Sequence, residues 1–322
     1  MGVKATIIIY GDIHLSSKKY GAHNDYPKES LHYFSEITRV AKERNATHII
    51  GTGDFTYGRF HSLEYRLKVE EQLEEQYKLT KGNRYELMGN HDTATYGLTE
   101  YQYYVQKGII KPSTNLDIEN LHITMVDHDK HNEVEPNIHM GEDDVNIIIA
   151  HDFFRFKDTA TANYGEAIEL DEFTRWYGAD FLISGHVHKI MGFSGSIAKD
   201  NVGHPMTVHY PGCMSRPSYR EGHMDEVGQV VCITVNDDNT IGYDVIDIEL
   251  WKIEESFNLA IKEKAIGKEK ERADRLDISD IVKQLDSHER NVGNPEDIIN
   301  SLQGVDKIYK NKAIALLKEA QG

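Results

Sequence analysis

The chain has 322 residues, 39% hydrophobic and 28% charged, with a formal net charge of −17 at pH 7. That length has room for one large domain and a small second one, in a composition ordinary for a soluble globular protein. The acidity argues against broad, nonspecific nucleic-acid binding. No apolar stretch approaches the ~20 residues of a membrane span. Cys213 and Cys232 lack zinc-type spacing, as expected of reduced thiols in a cytoplasmic protein.

In chain order, the first half alternates strand and helix. The run IIIY at 7–10 reads as a first strand and leads into Gly11-Asp12-Ile13-His14. Lys28–Arg44 places Leu31, Phe34, Ile37, Val40 and Ala41 on a helical stripe. HII at 48–50 leads into Gly51-Thr52-Gly53-Asp54, and Phe60–Leu79 follows as a second helix. YELM at 85–88 leads into Gly89-Asn90-His91-Asp92, with a shorter helix over Tyr101–Lys107 closed by Gly108. Asn120–Val126 reads as a strand and His128–Asp144 as an exposed polar loop. NIIIA at 146–150 leads into His151-Asp152, Glu166–Tyr177 reads as a helix, and FLIS at 181–184 leads into Gly185-His186-Val187-His188.

Beyond His188 the texture changes. Lys189–Ile197, Pro205–Tyr210, Gln229–Val235 and Thr240–Leu250 alternate in the strand manner. A strand–helix half followed by a run of strands predicts two stacked sheets with helices outside. From Trp251 the strands stop. Ile253–Arg275, Ile278–Leu285, Pro295–Leu302 and Val305–Ala320 read as helices, either a small packed bundle or a partner dock. The expected domains are therefore 1–250 and 251–322.

The five apolar runs each end on residues that bind metals. In open α/β sheets reactive groups lie beyond the carboxyl ends of such strands, so the motifs are expected along one rim of one sheet. Asp54 offers one carboxylate oxygen to each of two ions and so bridges them. Asp12 and His14 reach one ion as a pair, and His186 and His188 serve one each. Asn90 brings a neutral carbonyl oxygen and His151 an imidazole nitrogen. Two aspartates against two divalent ions leave a site of about +2, which suits a phosphate ester.

Mixed nitrogen and oxygen donors favour Mn²⁺, Fe or Zn²⁺ over Mg²⁺. Two such ions about 3.5–4 Å apart turn a shared water into a hydroxide for in-line attack on phosphorus. His91, not needed as a ligand, is the expected proton donor to the leaving oxygen. Asp92 orients His91 or caps the helix that begins there. His128, His131 and His139 read as solvated loop residues, and Tyr101, Tyr103 and Tyr104 as helix packing.

The set Asp12-x-His14, Gly53-Asp54, Gly89-Asn90-His91-Asp92, His151 and Gly185-His186-x-His188 resembles the calcineurin-like metallophosphoesterase family over roughly residues 3–250. The resemblance implies an α/β fold, a four-layer αββα sandwich of two mixed sheets, here with a small helical C-terminal segment. It implies that Asp12, His14, Asp54 and His188 hold one metal. Asp54, Asn90, His151 and His186 hold the other, with His91 as proton donor or leaving-group stabiliser.

Within the family the chain most resembles the SbcD-type DNA-repair nuclease subunits. A long helix follows the second motif, Tyr210-Pro211-Gly212-Cys213-Met214-Ser215 resembles their Pro-Gly-Ser turn, and a helical C-terminal segment follows. This implies a DNA substrate and a coiled-coil SbcC-type ATPase partner, in a minimal version such as a phage encodes; a homodimer stays open. The chain departs from that pattern at Tyr57, where those nucleases often carry histidine, and in its helical rather than β-rich C-terminus. The alternatives are a cyclic-nucleotide or nucleotide phosphodiesterase acting alone, and a non-catalytic scaffold. Lys18, Lys19, Arg59, Arg66, Arg155, Lys157, Arg216 and Arg220 are the candidate contacts to a DNA backbone.

Overall fold

The computed structural model describes residues 2–258 except 19, 21, 94–96, 160–166, 201 and 219–225, together with 260, 310 and 314. In chain order the first motifs join β1 (Val3–Tyr10), α1 (Tyr26–Glu43), β2 (His48–Gly51), α2 (Leu63–Leu79), β3 (Arg84–Glu86) and α3 (Glu100–Gln106). There follow β4 (Asn115–Ile118), β5 (Leu121–Val126), β6 (Val145–Ala150), β7 (Phe154–Arg155), β8 (Ile168–Glu169) and β9 (Phe181–Ser184). Two antiparallel pairs of strands complete the series, β10 (Met191–Lys199) with β11 (Val202–Tyr210), and β12 (Val227–Asn236) with β13 (Ile241–Glu249).

Two mixed sheets result. The first runs β13-β12-β1-β2-β3, with β1, β2 and β3 parallel and β12 antiparallel to β1. The second runs β10-β11-β9-β6-β5-β4, with β11, β9, β6 and β5 parallel. Ile7, Ile9, Ile50 and Leu87 of the first sheet pack against Ile123, Ile147, Ile149 and Ile183 of the second. On its other face the first sheet puts Ile8, Tyr10 and Ile49 against Phe34, Ile37 and Leu73 of α1 and α2. Both faces are buried, so the strands read as continuous apolar runs rather than alternating ones.

Local chemistry sets the helix starts. Ser62 accepts from Tyr65 N–H at 3.2 Å, which starts α2 at Leu63 and leaves Phe60 in the preceding loop. Thr99 and Gln102 form a capping box, which starts α3 one residue before the predicted Tyr101.

The strand expected over Asn120–Val126 is present as β5, one residue shorter, and a further strand precedes it. Asn115–Ile118 is a strand, joined to β5 by a turn at Glu119-Asn120 with Glu119 in the left-handed region, φ 56°. Asn120 therefore turns the chain instead of beginning the strand. The helix expected over Glu166–Tyr177 is replaced, with residue 166 outside the described residues. Ile168 pairs with Phe154, and short 3₁₀ turns follow at Leu170–Glu172 and Thr174–Trp176. Its apolar residues do not form a stripe: Leu170 and Trp176 are buried beside Phe154, Leu182 and Val208 on the outer face of the second sheet.

The chain divides into two compact units, Met1–Asn258 and Leu259–Gly322. Of the predicted helix Ile253–Arg275, the first turn Ile253–Ser256 is present. The expected helix breaks there: Phe257 is extended and bridges His23, whereas 259, 261–275 and the three helices predicted after them lie outside the described residues, apart from 310 and 314. Among the described residues no helix is long and apolar enough to cross a membrane. Cys213 and Cys232 are buried and not joined in a disulfide.

Candidate metal centre

Asp12 and His14 follow β1, Asp54 follows β2, and Asn90 and His91 follow β3, all from the first sheet. His151 follows β6, and His186 and His188 follow β9, from the second. The motifs thus line the adjoining rims of two sheets, not one rim of one sheet. The difference has a simple origin: β1-β2-β3 and β6-β9 are separate parallel sets whose sheets stack face to face, so their carboxyl ends share an edge of the sandwich. His151 Nδ1 and the carbonyl of Thr52 lie 2.8 Å apart across this seam, and His186 N–H donates to Asp12 Oδ2 at 3.0 Å.

The backbone is bent hard to present these side chains. His14, Asp54 and His186 have φ of 49°, 50° and 74°, in the left-handed region that non-glycine residues seldom adopt. Close approach fixes Gly185: a Cβ there would lie 2.4 Å from Asp12 Oδ1 and 2.8 Å from His151 Nδ1. Gly53 needs both freedoms, with φ 105° and a Cβ position 2.5 Å from His151 Nδ1.

All seven expected ligands come together, in two groups that share Asp54. Ligand atoms of Asp12, His14, Asp54 and His188 lie within 4.8 Å of one another. In this group His14 Nε2 is 2.9 Å from His188 Nε2 and 3.7 Å from Asp54 Oδ2, and His188 Nε2 is 3.3 Å from Asp12 Oδ2. In the second group Asn90 Oδ1 is 3.1 Å from both His151 Nε2 and His186 Nδ1, and His151 Nε2 is 3.4 Å from Asp54 Oδ1. Asp54 therefore turns a different oxygen to each group.

The donor set fits two divalent cations. Asp12 and Asp54 are buried, and the ligand atoms of His14 and His188 lie within 4.8 Å of theirs. Burial lowers His14 to about 4 despite Asp54 beside it, so at neutral pH it offers a lone pair and no charge. Burial also acts to lower His151, but Asp12 and Asp54 outweigh it and raise this imidazole to about 9. Asp12 and Asp54 both titrate below the usual carboxylate range; burial opposes this, and His151 is the leading counterweight. His151 in this way takes the electrostatic place of a cation. Its Nδ1–H toward Thr52 leaves Nε2 aimed at the second group, the usual way a protein orients a ligating imidazole.

His91 stands at the solvent side, its side chain 39% exposed and its Nε2 4.0 Å from Asp54 Oδ2. Its backbone N–H donates to Asp54 Oδ1 at 2.8 Å. The Tyr57 ring lies 4.7 Å from the His91 ring and 5.5 Å from His14. Asp92 does not orient His91. It accepts from Phe55 N–H, Thr56 N–H and Gly89 N–H at 3.1, 2.9 and 3.0 Å, and so ties the loop after β2 to the loop after β3.

Other supports carried weaker sequence signals. The Pro211–Ser215 turn braces the first motif: Met214 N–H donates to the Asp12 carbonyl at 2.8 Å and Ser215 Oγ to the Ile13 carbonyl at 2.6 Å. His128, expected to be solvated, has its ring 5.8 Å from that of His186 at an interplanar angle of 21°. Its Nδ1 lies 2.8 Å from Asp152 Oδ1 and 3.1 Å from the His151 carbonyl. With two acceptors facing it, Nδ1 carries the proton. The adjacency of Asp152 to ligand His151 was the available signal.

The candidate DNA contacts fare differently. Arg216 is buried, with its guanidinium on the Trp251 carbonyl and the Ser256 hydroxyl, so it does not face a groove. Arg66 pairs with Glu100 at 2.6 Å, Arg155 with Glu169 at 2.6 Å, and Lys157 with Glu172. Lys19 and Arg220 lie outside the described residues.

The sequence matches the model of the family described as calcineurin-like phosphoesterase over residues 5–190. No curated protein matches it. Among solved structures, a dimetal phosphatase from Danio rerio aligns with a TM-score of 0.42 and 9% identity, covering 77% of this chain and 100% of that one.

Proposed function

Since the chain belongs to the calcineurin-like phosphoesterase family and is a two-metal phosphoester hydrolase, we propose that it cleaves phosphodiesters, as a DNA nuclease subunit of the SbcD type paired with a coiled-coil ATPase. The observation that carries the diester reading is the shared Asp54, one oxygen toward each donor group, beside a half-exposed His91.

Asp12, His14, Asp54 and His188 would hold one ion, and Asp54, Asn90, His151 and His186 the other, with Mn²⁺ the proposed metal. When bound, such ions polarise phosphoryl oxygens and activate water. The chain's own residues do the rest. His91 Nε2, on the open side, gives its proton to the leaving oxygen as the P–O bond breaks. Tyr57 packs against His91 and limits where its ring can lie.

A second reading, a nucleotide or cyclic-nucleotide phosphodiesterase acting alone, is favoured by the pairing of Arg66, Arg155 and Lys157 with acids and by the burial of Arg216. A Mn²⁺-dependent assay on single- and double-stranded DNA, cyclic nucleotides and an aryl phosphomonoester separates the two, with Asp54→Ala as control. Metal-dependent DNA cleavage supports the nuclease. Turnover confined to cyclic or small nucleotides selects the second reading, and turnover of the monoester alone refutes both.

A further inference from the structure

We propose that the chain carries a third divalent-metal site, suited to Zn²⁺, made by Asp117, His122 and His139 at the β4–β5 edge of the second sheet. It does not rest on the phosphodiesterase reading. His122 pairs with Asn146 near the start of β6, whereas ligand His151 follows the end of that strand. Five residues at ~3.3 Å each put the two places roughly 16 Å apart along the strand direction.

The three side chains bring their ligand atoms within 4.8 Å of one another. Asp117 Oδ1 lies 2.7 Å from His122 Nδ1 and 3.9 Å from His139 Nε2, so both imidazoles address one carboxylate oxygen. Asn137 Oδ1, 3.2 Å from His139 Nε2, adds a carbonyl oxygen at the same place. Two imidazoles with a carboxylate and a neutral oxygen or water are a donor set that Zn²⁺ takes readily.

The surroundings of His122 point the same way. Its side chain is only 7% exposed, and its buried Nε2 makes no hydrogen bond, with Asp144 Oδ1 3.4 Å away. Asp144 is itself held by Gly141 N–H at 2.7 Å. A carboxylate behind one ring nitrogen favours the tautomer with its proton on that side, which leaves the other nitrogen a lone pair for a metal. Here that other nitrogen is Nδ1, which is hydrogen-bonded to Asp117 Oδ1 at 2.7 Å; an ion would take the place of that proton, with the ring proton then on Nε2 toward Asp144. The His122 and His139 rings are stacked, 3.7 Å apart and 9° from parallel. The His139 side chain is 44% exposed, so turning its ring brings both lone pairs onto one ion.

An ion here would pin the far end of the 127–144 loop to the β4–β5 hairpin. The near end of that loop carries His128, against His186. The third ion would therefore steady a loop that also flanks the catalytic centre, without touching the reacting atoms.

The test is the zinc content of the untagged full chain after dialysis against micromolar free Zn²⁺, compared with His139→Ala and Asp117→Asn. Three equivalents are expected for the wild type and two for either variant. Asp54→Asn should keep the third equivalent while losing metal from the catalytic centre, so the two sites fail separately. Equal zinc content in wild type and both variants would overturn the proposal, as would a third equivalent that appears only at millimolar Zn²⁺.

Discussion

Replacing His91 by Asn tests the assignment of the proton donor. The side chain is 39% exposed and its Nε2 stands 4.0 Å from Asp54 Oδ2, while the bond that holds Asp54 Oδ1 comes from the backbone N–H at 2.8 Å. The substitution therefore removes an acid and leaves the ligand geometry standing. A half-exposed position with no buried pair broken predicts a stability change within about 0.5 kcal/mol. A positioned general acid contributes about 10²–10⁴-fold, which corresponds to about 3–5 kcal/mol of barrier.

That loss should depend on the leaving group. A sugar hydroxyl must be protonated as it departs, so an unactivated dinucleotide should lose the full factor in kcat. A nitrophenolate leaves without a proton, so a nitrophenyl diester should lose less than about tenfold. Steady-state kinetics on both substrates, with metal content measured on the same samples, decide the matter. Equal losses on the two esters would refute the acid role, and loss of metal in the variant would place His91 among the ligands.

Three further outcomes follow from buried charge. Arg84 and Glu86 are both fully buried and paired at 2.7 Å, with Tyr10 on Glu86 and Gln76 on Arg84. Arg84→Met should cost about 3–5 kcal/mol in urea unfolding by stranding Glu86, and Arg84→Met/Glu86→Gln should recover most of it; equal losses in both would contradict this. Glu29 is buried with an unpartnered Oε2, and burial lifts its carboxyl to about 7 despite Ser256 and Arg216. The unfolded chain releases this proton near the usual 4.5 and the folded chain retains it to about 7. The wild type should therefore weaken relative to Glu29→Gln as pH rises through that window, by up to about 3 kcal/mol; a pH-independent difference would exclude the effect. Chelation should lower the melting temperature, by the equivalent of about 2.7 kcal/mol per site when free metal had been a hundredfold above Kd, and much less in Asp54→Asn; equal shifts would place the metals elsewhere.

The parts of the fold legible in the sequence are those buried on two sides. The runs ending at Tyr10, Gly51, Ala150 and Ser184 have no solvent face, so their apolar character is continuous and their ends are sharp. The Asn115–Ile118 strand was not legible because it is a four-residue edge with alternate residues exposed. The 166–177 segment misled because its aromatic residues are buried by tertiary contacts that carry no helical period. At the centre, ligand types at strand ends were legible. For Asp92 the capping role was legible, as its bond from Gly89 N–H shows, but its clamp on Phe55 and Thr56 was not, since they lie on another motif loop. The same holds for His128, placed by Asp152 and lying against His186 from a loop with no local pattern.

Three of the ligands sit in left-handed backbone conformations, each of which costs of order 1 kcal/mol or more for a non-glycine residue. Such a bend persists only where its neighbours over-determine it, and those neighbours are identifiable. His14 is held by its N–H on the Asp54 carbonyl at 2.9 Å and by Tyr26 on its own carbonyl at 2.9 Å. Asp54 is clasped by the His91 N–H and flanked by the Asp92 clamp, and His186 is fixed by its N–H on Asp12. Each strained ligand is thus anchored through the loop of a different motif, so no motif holds its geometry alone. A Cβ at Gly53 or Gly185 would intrude among these anchored side chains, on His151 Nδ1 and Asp12 Oδ1. Selectivity among phosphoesters then falls to what surrounds the centre. Of the described candidates for a DNA backbone, Arg66, Arg155 and Lys157 are engaged with acids and Arg216 is buried, so a strand reaching the centre would compete with those pairs, whereas a small nucleotide would not need to.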